Sequence, residues 1–256
     1  MIKWYGERLC DAGFLINLKE RTDRFDIAEK ELIDSGIEGV ERFDAVVITE
    51  PDFIKYGCTQ SHIEIAKKQI ENNWEYVLYL EDDIKTEYYY SETIPLTSVD
   101  RKKVSTSIIN DLYEHKPDVL WLGVRPENDT EYVTNNLVKT NKTLMSHAYL
   151  GSLKYAKFLV ENLQYTDNQH FSSRLPIDYF ISQLTEKDCW QINSYKNGEN
   201  ILKNDLKVYM SIPLIFNQGA SFSNIIDRDV DYTIWVRGCI DAYVNLNKLN
   251  IKPHLK

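Results

Sequence analysis

Glycine is scarce in this 256-residue chain, at ten residues, and that scarcity removes several functions at once. Phosphate cradles built from backbone N–H groups need clustered glycines, and neither GxxxxGK nor a GxGxxG after the first apolar run occurs. HExxH and GxSxG are absent too, which leaves out two common hydrolase plans. The four cysteines, Cys10, Cys58, Cys189 and Cys239, show no CxxC or zinc-like spacing and are too few for a disulfide framework, so a reducing compartment is expected. No apolar run approaches the roughly 20 residues of a membrane span, and Met1 to Arg8 has no signal-like apolar core. A soluble cytoplasmic protein is the expectation. Basic charge is also short, with 30 Lys and Arg against 39 Asp and Glu for a formal net charge of -9. Nucleic-acid backbones need a basic face, so they are excluded as the main partner, whereas an anionic nucleotide can still bind through a metal. No linker rich in Gly, Pro and Ser divides the chain, and residues 1–256 read as one domain.

The chain does have a run of three carboxylates, Glu81-Asp82-Asp83, directly after the apolar stretch Tyr76-Val77-Leu78-Tyr79-Leu80. Such a stretch reads as a buried strand, which puts the acids at its carboxyl end, where open α/β sheets bind ligands. Adjacent carboxylates repel one another unless a cation joins them. Hard oxygen ligands suit Mg²⁺ or Mn²⁺, ions that commonly bridge a protein carboxylate and a nucleotide's phosphates.

Around this stretch the periodicities alternate. Ala12 to Leu18 reads as a strand, and Phe25, Ala28 and Leu32 then recur at helical spacing with Gly36 as the stop. Arg21 and Arg24 lie at the intervening turn, where they could meet a phosphate or a base. Phe43 to Ile48 reads as a second strand, and Ile63, Ala66 and Ile70 give a helix between Gly57 and Asn73, with Ser61 and His62 near its start. This β-α-β-α-β succession predicts a doubly wound, mostly parallel sheet. After Asp83, Tyr88-Tyr89-Tyr90 and a polar stretch suggest a surface loop. Val104, Ile108 and Leu112 mark a helix, Asp118 to Gly123 a strand, and Arg125 to Thr143 a loop or hairpin excursion. Leu144 to Leu150 reads as a strand, followed by a helix through Leu153, Ala156, Val160 and Leu163. Pro176 opens a further helix with Asp178 in its first turn, where the macrodipole favours an acid. Val208 to Ile212 is a late strand, Pro213 to Ser223 a loop, and the tail after about Asp231 is only loosely patterned.

Taken in order, Phe14-Leu15-Ile16-Asn17-Leu18 with Arg21 and Arg24, Gly57-Cys58-Thr59-Gln60-Ser61-His62, and Leu80-Glu81-Asp82-Asp83-Ile84 resemble glycosyltransferase family 25. That family includes bacterial lipooligosaccharide galactosyltransferases and collagen β-galactosyltransferases. His147-Ala148-Tyr149-Leu150, Pro176-Ile177-Asp178, and Gln218 with Ser223 to Ile225 continue the resemblance, which covers roughly residues 12 to 226. Asn224 departs from it, standing where the family has an aspartate. The resemblance implies a single α/β domain of GT-A type, Rossmann-like, with a mostly parallel sheet flanked by helices. It also implies inverting, metal-dependent transfer of a hexose, galactose or glucose, from a UDP-sugar to a hydroxyl of a glycan or glycoprotein. On that basis Glu81, Asp83 and His147 are expected at Mn²⁺ or Mg²⁺, with Asn17, Arg21, Arg24, Ser61, His62, Asp82 and Gln218 on the donor side. Asp178 is the expected base, with Asp227 and Asp229 in reserve. Along an extended chain Glu81 and Asp83 would point the same way and Asp82 the other. Two other readings stay open: a different metal-dependent nucleotide enzyme, such as a nucleotidyltransferase or phosphodiesterase, and a non-catalytic binding module of glycosyltransferase shape.

Overall fold

A computed structural model describes residues 1–49, 56–126, 130–140, 143–163, 177, 205–219, 221–223, 228–230, 237 and 253–255. The chain opens with a short hairpin, β1 (Ile2–Trp4) and β2 (Glu7–Cys10), and then enters β3 (Ala12–Asn17), whose six residues are all buried. An uninterrupted apolar strand of this kind needs cover on both faces of its sheet. Helix α1 (Thr22–Ser35) follows and ends where the sequence predicts, with Gly36 left-handed at φ 80° and its N–H returned to Leu32 and Ile33. A side chain at Gly36 would also strike the Tyr5 ring at 2.6 Å, so the helix end is seated against the N-terminal hairpin. Strand β4 (Ile37–Glu38) pairs with β1, and β5 (Glu41–Asp44) lies parallel to β3. The expected strand at Phe43 to Ile48 therefore starts and stops earlier. Beyond Asp44 the chain turns towards helix α2 (Tyr56–Glu71), and Val46 gives its N–H to the Ser61 hydroxyl instead of a ladder.

Strand β6 (Tyr76–Glu81) carries the carboxylate end, and only two residues separate it from β7 (Ile84–Tyr89). The tyrosines expected on a surface loop are buried in and after β7. The Tyr88 hydroxyl donates to the Ser35 carbonyl at 2.7 Å and accepts from Trp4 Nε1 at 3.0 Å. Helix α3 (Arg101–His115) is capped by Asp100, which accepts from the Lys103 N–H. Strands β8 (Val119–Pro126), β9 (Thr130–Tyr132), β10 (Leu137–Thr140) and β11 (Thr143–Ser152) follow, and α4 (Leu153–Leu163) packs against α2. Strands β12 (Val208–Ser211), β13 (Leu214–Gln218), β14 (Ser221–Ser223) and β15 (Arg228–Val230) complete the described elements. The expected loop at Pro213 to Ser223 is thus mostly strand.

Among the described residues, eight strands form the main sheet in the order β5-β3-β6-β11-β8-β12-β10-β9. This is the α/β architecture, with its sheet flanked by helices, that the sequence implies. Its arrangement is mixed: β5, β3 and β6 run parallel, as do β8 and β12, while β11 is antiparallel to both β6 and β8. The hairpin excursion at β9 and β10 returns the chain between β6 and β8 without a crossover helix, which is why β11 reverses direction. Strand β7 leaves this sheet to pair with β13, Ile84 opposite Gln218.

Candidate active site

The site lies where the carboxyl ends of β3 and β6 meet the start of α1 and the end of β13. Glu81 is the last residue of β6, and Asp82 and Asp83 form the turn into β7, so strand alternation does not extend through the triplet. Asp82 and Asp83 both come within reach of Arg24, while Glu81 faces His62. The expected pairing of Glu81 with Asp83 on one side gives way to that division, because a tight turn rather than an extended chain carries the second and third acids.

Asp82 is held from two sides. Asn17 Nδ2 donates to its Oδ2 at 2.7 Å and to the Arg21 carbonyl at 3.0 Å, and Arg24 Nη1 lies 3.1 Å from its Oδ1. Asp83 Oδ2 accepts from Gln218 Nε2 at 2.5 Å, with Arg24 Nη2 further off at 3.9 Å, and the Gly219 N–H closes on the Asp83 carbonyl at 2.6 Å. The other carboxylate oxygen, Oδ1, is buried and has no hydrogen-bond partner among the described residues. Burial, with the Glu81 charge next, pushes the Asp83 carboxyl up to about 7, against the pull of Gln218 and Arg24. Asp82 is also raised by burial, opposed by Arg24 and Asn17. A buried carboxylate with one open oxygen and a disfavoured charge fits a divalent cation, which would restore the charged form.

Arg21 sits at the rim of this group. Its guanidinium takes Asp23 in a fork at 2.9 and 2.8 Å and holds that carboxyl down at about 2, though its field still reaches Asp82. Ser61 is buried away from the carboxylates, donating to the Gly57 carbonyl at 2.8 Å and accepting from the Val46 N–H at 2.9 Å. It fixes the approach of the chain to α2.

His62 is fully buried on α2, with Nδ1 2.8 Å from the Tyr149 hydroxyl and Nε2 3.5 Å from Glu81 Oε1. Its ring lies parallel to those of Tyr79 and Tyr149, at 5.8 and 5.7 Å between centroids. Cys58, one helical turn earlier, brings its sulfur within 4.8 Å of ligand atoms of both His62 and Glu81. His147, expected at the metal, is buried in β11 with Nε2 3.5 Å from the Phe216 carbonyl, and its Nδ1 has no partner among the described residues. Burial pushes it down to about 4, so it is neutral. It packs beneath β13, where a side chain at Gly123 would strike its ring. Asp178 and Asp227 lie outside the described residues, and Asp229 is described only as a backbone partner of Phe222. Cys58 is the residue missed in the sequence. Its signal was the four-residue spacing to His62 on a predicted helix just ahead of the triplet.

No protein-family model matches the chain. Human procollagen galactosyltransferase 2 is 25% identical over 237 residues, covering 80% of this chain and 34% of that protein. Procollagen galactosyltransferase 1-B of Xenopus laevis is 26% identical over 238 residues, again 80% of this chain and 35% of that protein. A glycosyltransferase 25 family member of Aedes aegypti is 27% identical over 148 residues, 55% of this chain and 22% of its own length. The chain thus spans about a third or less of the length of these curated relatives, whose names bear out its resemblance to glycosyltransferase family 25. Among solved structures, a glycosyltransferase involved in glycosylation of the PBCV-1 major capsid aligns over 92% of this chain and 100% of its own, at 11% identity and a TM-score of 0.43.

Proposed function

We propose that this chain is an inverting, metal-dependent glycosyltransferase that moves a hexose, galactose or else glucose, from a UDP-sugar to a hydroxyl of a glycan or glycoprotein. The observation that carries this reading is the Asp82–Asp83 turn at the carboxyl end of β6, with Asp83 Oδ1 buried and without a hydrogen-bond partner among the described residues and Arg24 reaching both carboxylates. The relatives' printed names supply the galactose preference.

Asp83, with Asp82 beside it, would hold Mn²⁺ or Mg²⁺, and the bound ion would supply positive charge against the departing diphosphate. The chain's own groups set this up. Asn17 and Gln218 fix the two carboxylates by hydrogen bonds, so neither has to reorganise when charge develops. Arg24 supplies a fixed positive charge on the same side, able to swing from carboxylate to diphosphate oxygens as a planar fork. In this reading neither Glu81, which faces His62, nor His147, which packs under Phe216, is placed on the ion, although the Glu81 charge reaches Asp83. Inversion needs a base on the face opposite the diphosphate, and Asp178, in the block that resembles the family's, is our choice for it.

The test is UDP release from a panel of UDP-sugars with Mn²⁺, with EDTA and Asp83→Ala as controls. Turnover of one donor, lost with EDTA and reduced at least ~100-fold by the substitution, is the expected result. Release of pyrophosphate or a nucleoside monophosphate would instead make the chain another kind of nucleotide enzyme. Failure of every donor to bind or react with metal present would remove the catalytic reading.

A further inference from the structure

Beside the carboxylate turn lies a second group of potential ligands, and it differs in chemical kind. Cys58 and His62 are one turn apart on α2, and Glu81 ends β6 against them, with a sulfur, an imidazole nitrogen and a carboxylate oxygen all within 4.8 Å of one another. A thiolate, a neutral imidazole and a carboxylate together carry two negative charges. That mixture of soft and borderline donors suits Zn²⁺ better than Mg²⁺ or Mn²⁺, which prefer oxygen.

The surroundings of His62 point the same way. Its Nδ1 is engaged by the Tyr149 hydroxyl at 2.8 Å, which leaves Nε2 as the nitrogen facing Glu81. Metal-bound histidines are typically oriented in this manner, one nitrogen on the ion and the other on an outer hydrogen-bonding partner. That partner is itself anchored, since the Tyr149 hydroxyl meets Tyr155 at 3.2 Å and the Tyr149 ring stacks on Tyr79 at 4.8 Å. The 3.5 Å between His62 Nε2 and Glu81 Oε1 is close to the roughly 3.3 Å edge of a tetrahedron with zinc-to-ligand arms of about 2.0 Å. Among the described residues a further three-residue group, Asp111, Glu114 and His115 on α3, is partly exposed, and Asp111 is already taken by the Thr134 hydroxyl.

We infer that Cys58, His62 and Glu81 form a Zn²⁺ site that ties helix α2 to the end of strand β6, supplying three of its ligands. The site shares no ligand with the Asp82–Asp83 pair and does not depend on sugar transfer, although the Glu81 charge is felt at Asp83. Its consequence for that pair is positional: the ion fixes the residue from which the turn departs.

Co²⁺ is the probe, because a thiolate ligand gives it a charge-transfer absorption that oxygen ligands do not. The full chain, stripped of metal and kept reduced, should take up one equivalent of Co²⁺ with that absorption and the intense visible bands of a tetrahedral site, and Zn²⁺ should displace it. Cys58→Ser should remove the absorption and weaken binding at least ~10-fold, while Asp83→Asn should leave both unchanged. A measurement on the unaltered chain runs beside these: alkylation of Cys58, followed by mass spectrometry, should slow at least ~10-fold when Zn²⁺ is added. An octahedral spectrum without thiolate absorption, binding indifferent to Cys58→Ser, binding lost in Asp83→Asn, or unchanged Cys58 alkylation would each overturn the site. None of these readouts involves a UDP-sugar, so an inactive chain with intact cobalt binding would remove the transferase reading and leave this one.

Discussion

At the scale of single residues, the carboxylates behave as groups that need a counter-charge. In the folded chain Asp83 is pushed up to about 7, above its ordinary 3.8, by burial and by Glu81. The folded state therefore keeps a proton that the unfolded chain releases. That contribution to stability is present below about pH 4 and is lost as pH rises towards and through 7. Without a divalent cation, then, Asp83→Asn should stabilise the protein at pH 8, raising its melting temperature by a few degrees, and should have little effect at pH 4. Added Mn²⁺ should stabilise the wild type and not the variant. Melting curves at the two pH values, with and without Mn²⁺, check this, and a variant less stable than the wild type at pH 8 without metal would contradict it. The placement of this region was legible in the sequence, because an apolar run followed by three acids puts carboxylates at the end of a buried strand. The division of labour was not. Which acid meets Arg24 and which meets His62 depends on a turn at Asp82 and Asp83 that strand periodicity cannot report.

At the scale of elements, the long apolar segments were legible and the short ones were not. β3, β6, α2 and α4 fall where the spacing places them, since each buries enough periodic surface to leave a pattern. The N-terminal hairpin, at three and four residues a strand, is too short to show one. β7 and β13 hide Glu87 and Asn217 in the interior, and polar letters there suggest loops. The approach of α2 to the site is set by a close contact at its first turn, where a side chain on Gly57 would run into the Val46 carbonyl oxygen. Backbone cannot yield as a side-chain tip can. Gly57→Ala should therefore cost about 1–3 kcal/mol and displace the start of α2, carrying Cys58 with it. Urea denaturation gives the first quantity. A change in Cys58 alkylation rate reports the second, and a neutral substitution on both counts would show that the helix start can shift freely.

Across the whole molecule, the far end of the chain is pinned to the strands behind the site. Glu87, on β7, is only 2% exposed, and Arg237 takes it in a fork with bonds of 3.0 and 2.8 Å while lying over the Tyr89 ring. Asn217 Nδ2, from β13, adds a bond to the same carboxylate at 3.1 Å, and Lys85 stands 4.0 Å away. Further along, the His254 carbonyl accepts from the Asp100 N–H at 2.7 Å, and the His254 N–H reaches the Tyr90 hydroxyl at 3.2 Å. β7 and β13 also carry the two sides of the carboxylate turn, because Ile84 follows Asp83 and Gln218 bonds to it. Arg237 therefore bears on β7, one of the two strands that shape the site, and His254 on Tyr90 just beyond it. Among the described residues, Arg237→Ala would leave the buried Glu87 with Asn217 and a distant Lys85, and breaking a buried pair by removing one partner costs more than the pair itself contributes. A loss on the order of 3 kcal/mol is expected. Glu87→Gln in the same background should recover a substantial part of it, since the amide needs no counter-charge and can still bond to Asn217. Unfolding free energies for the two single variants and the double variant decide the matter: a double variant no more stable than Arg237→Ala alone would mean that Arg237 does not act through Glu87.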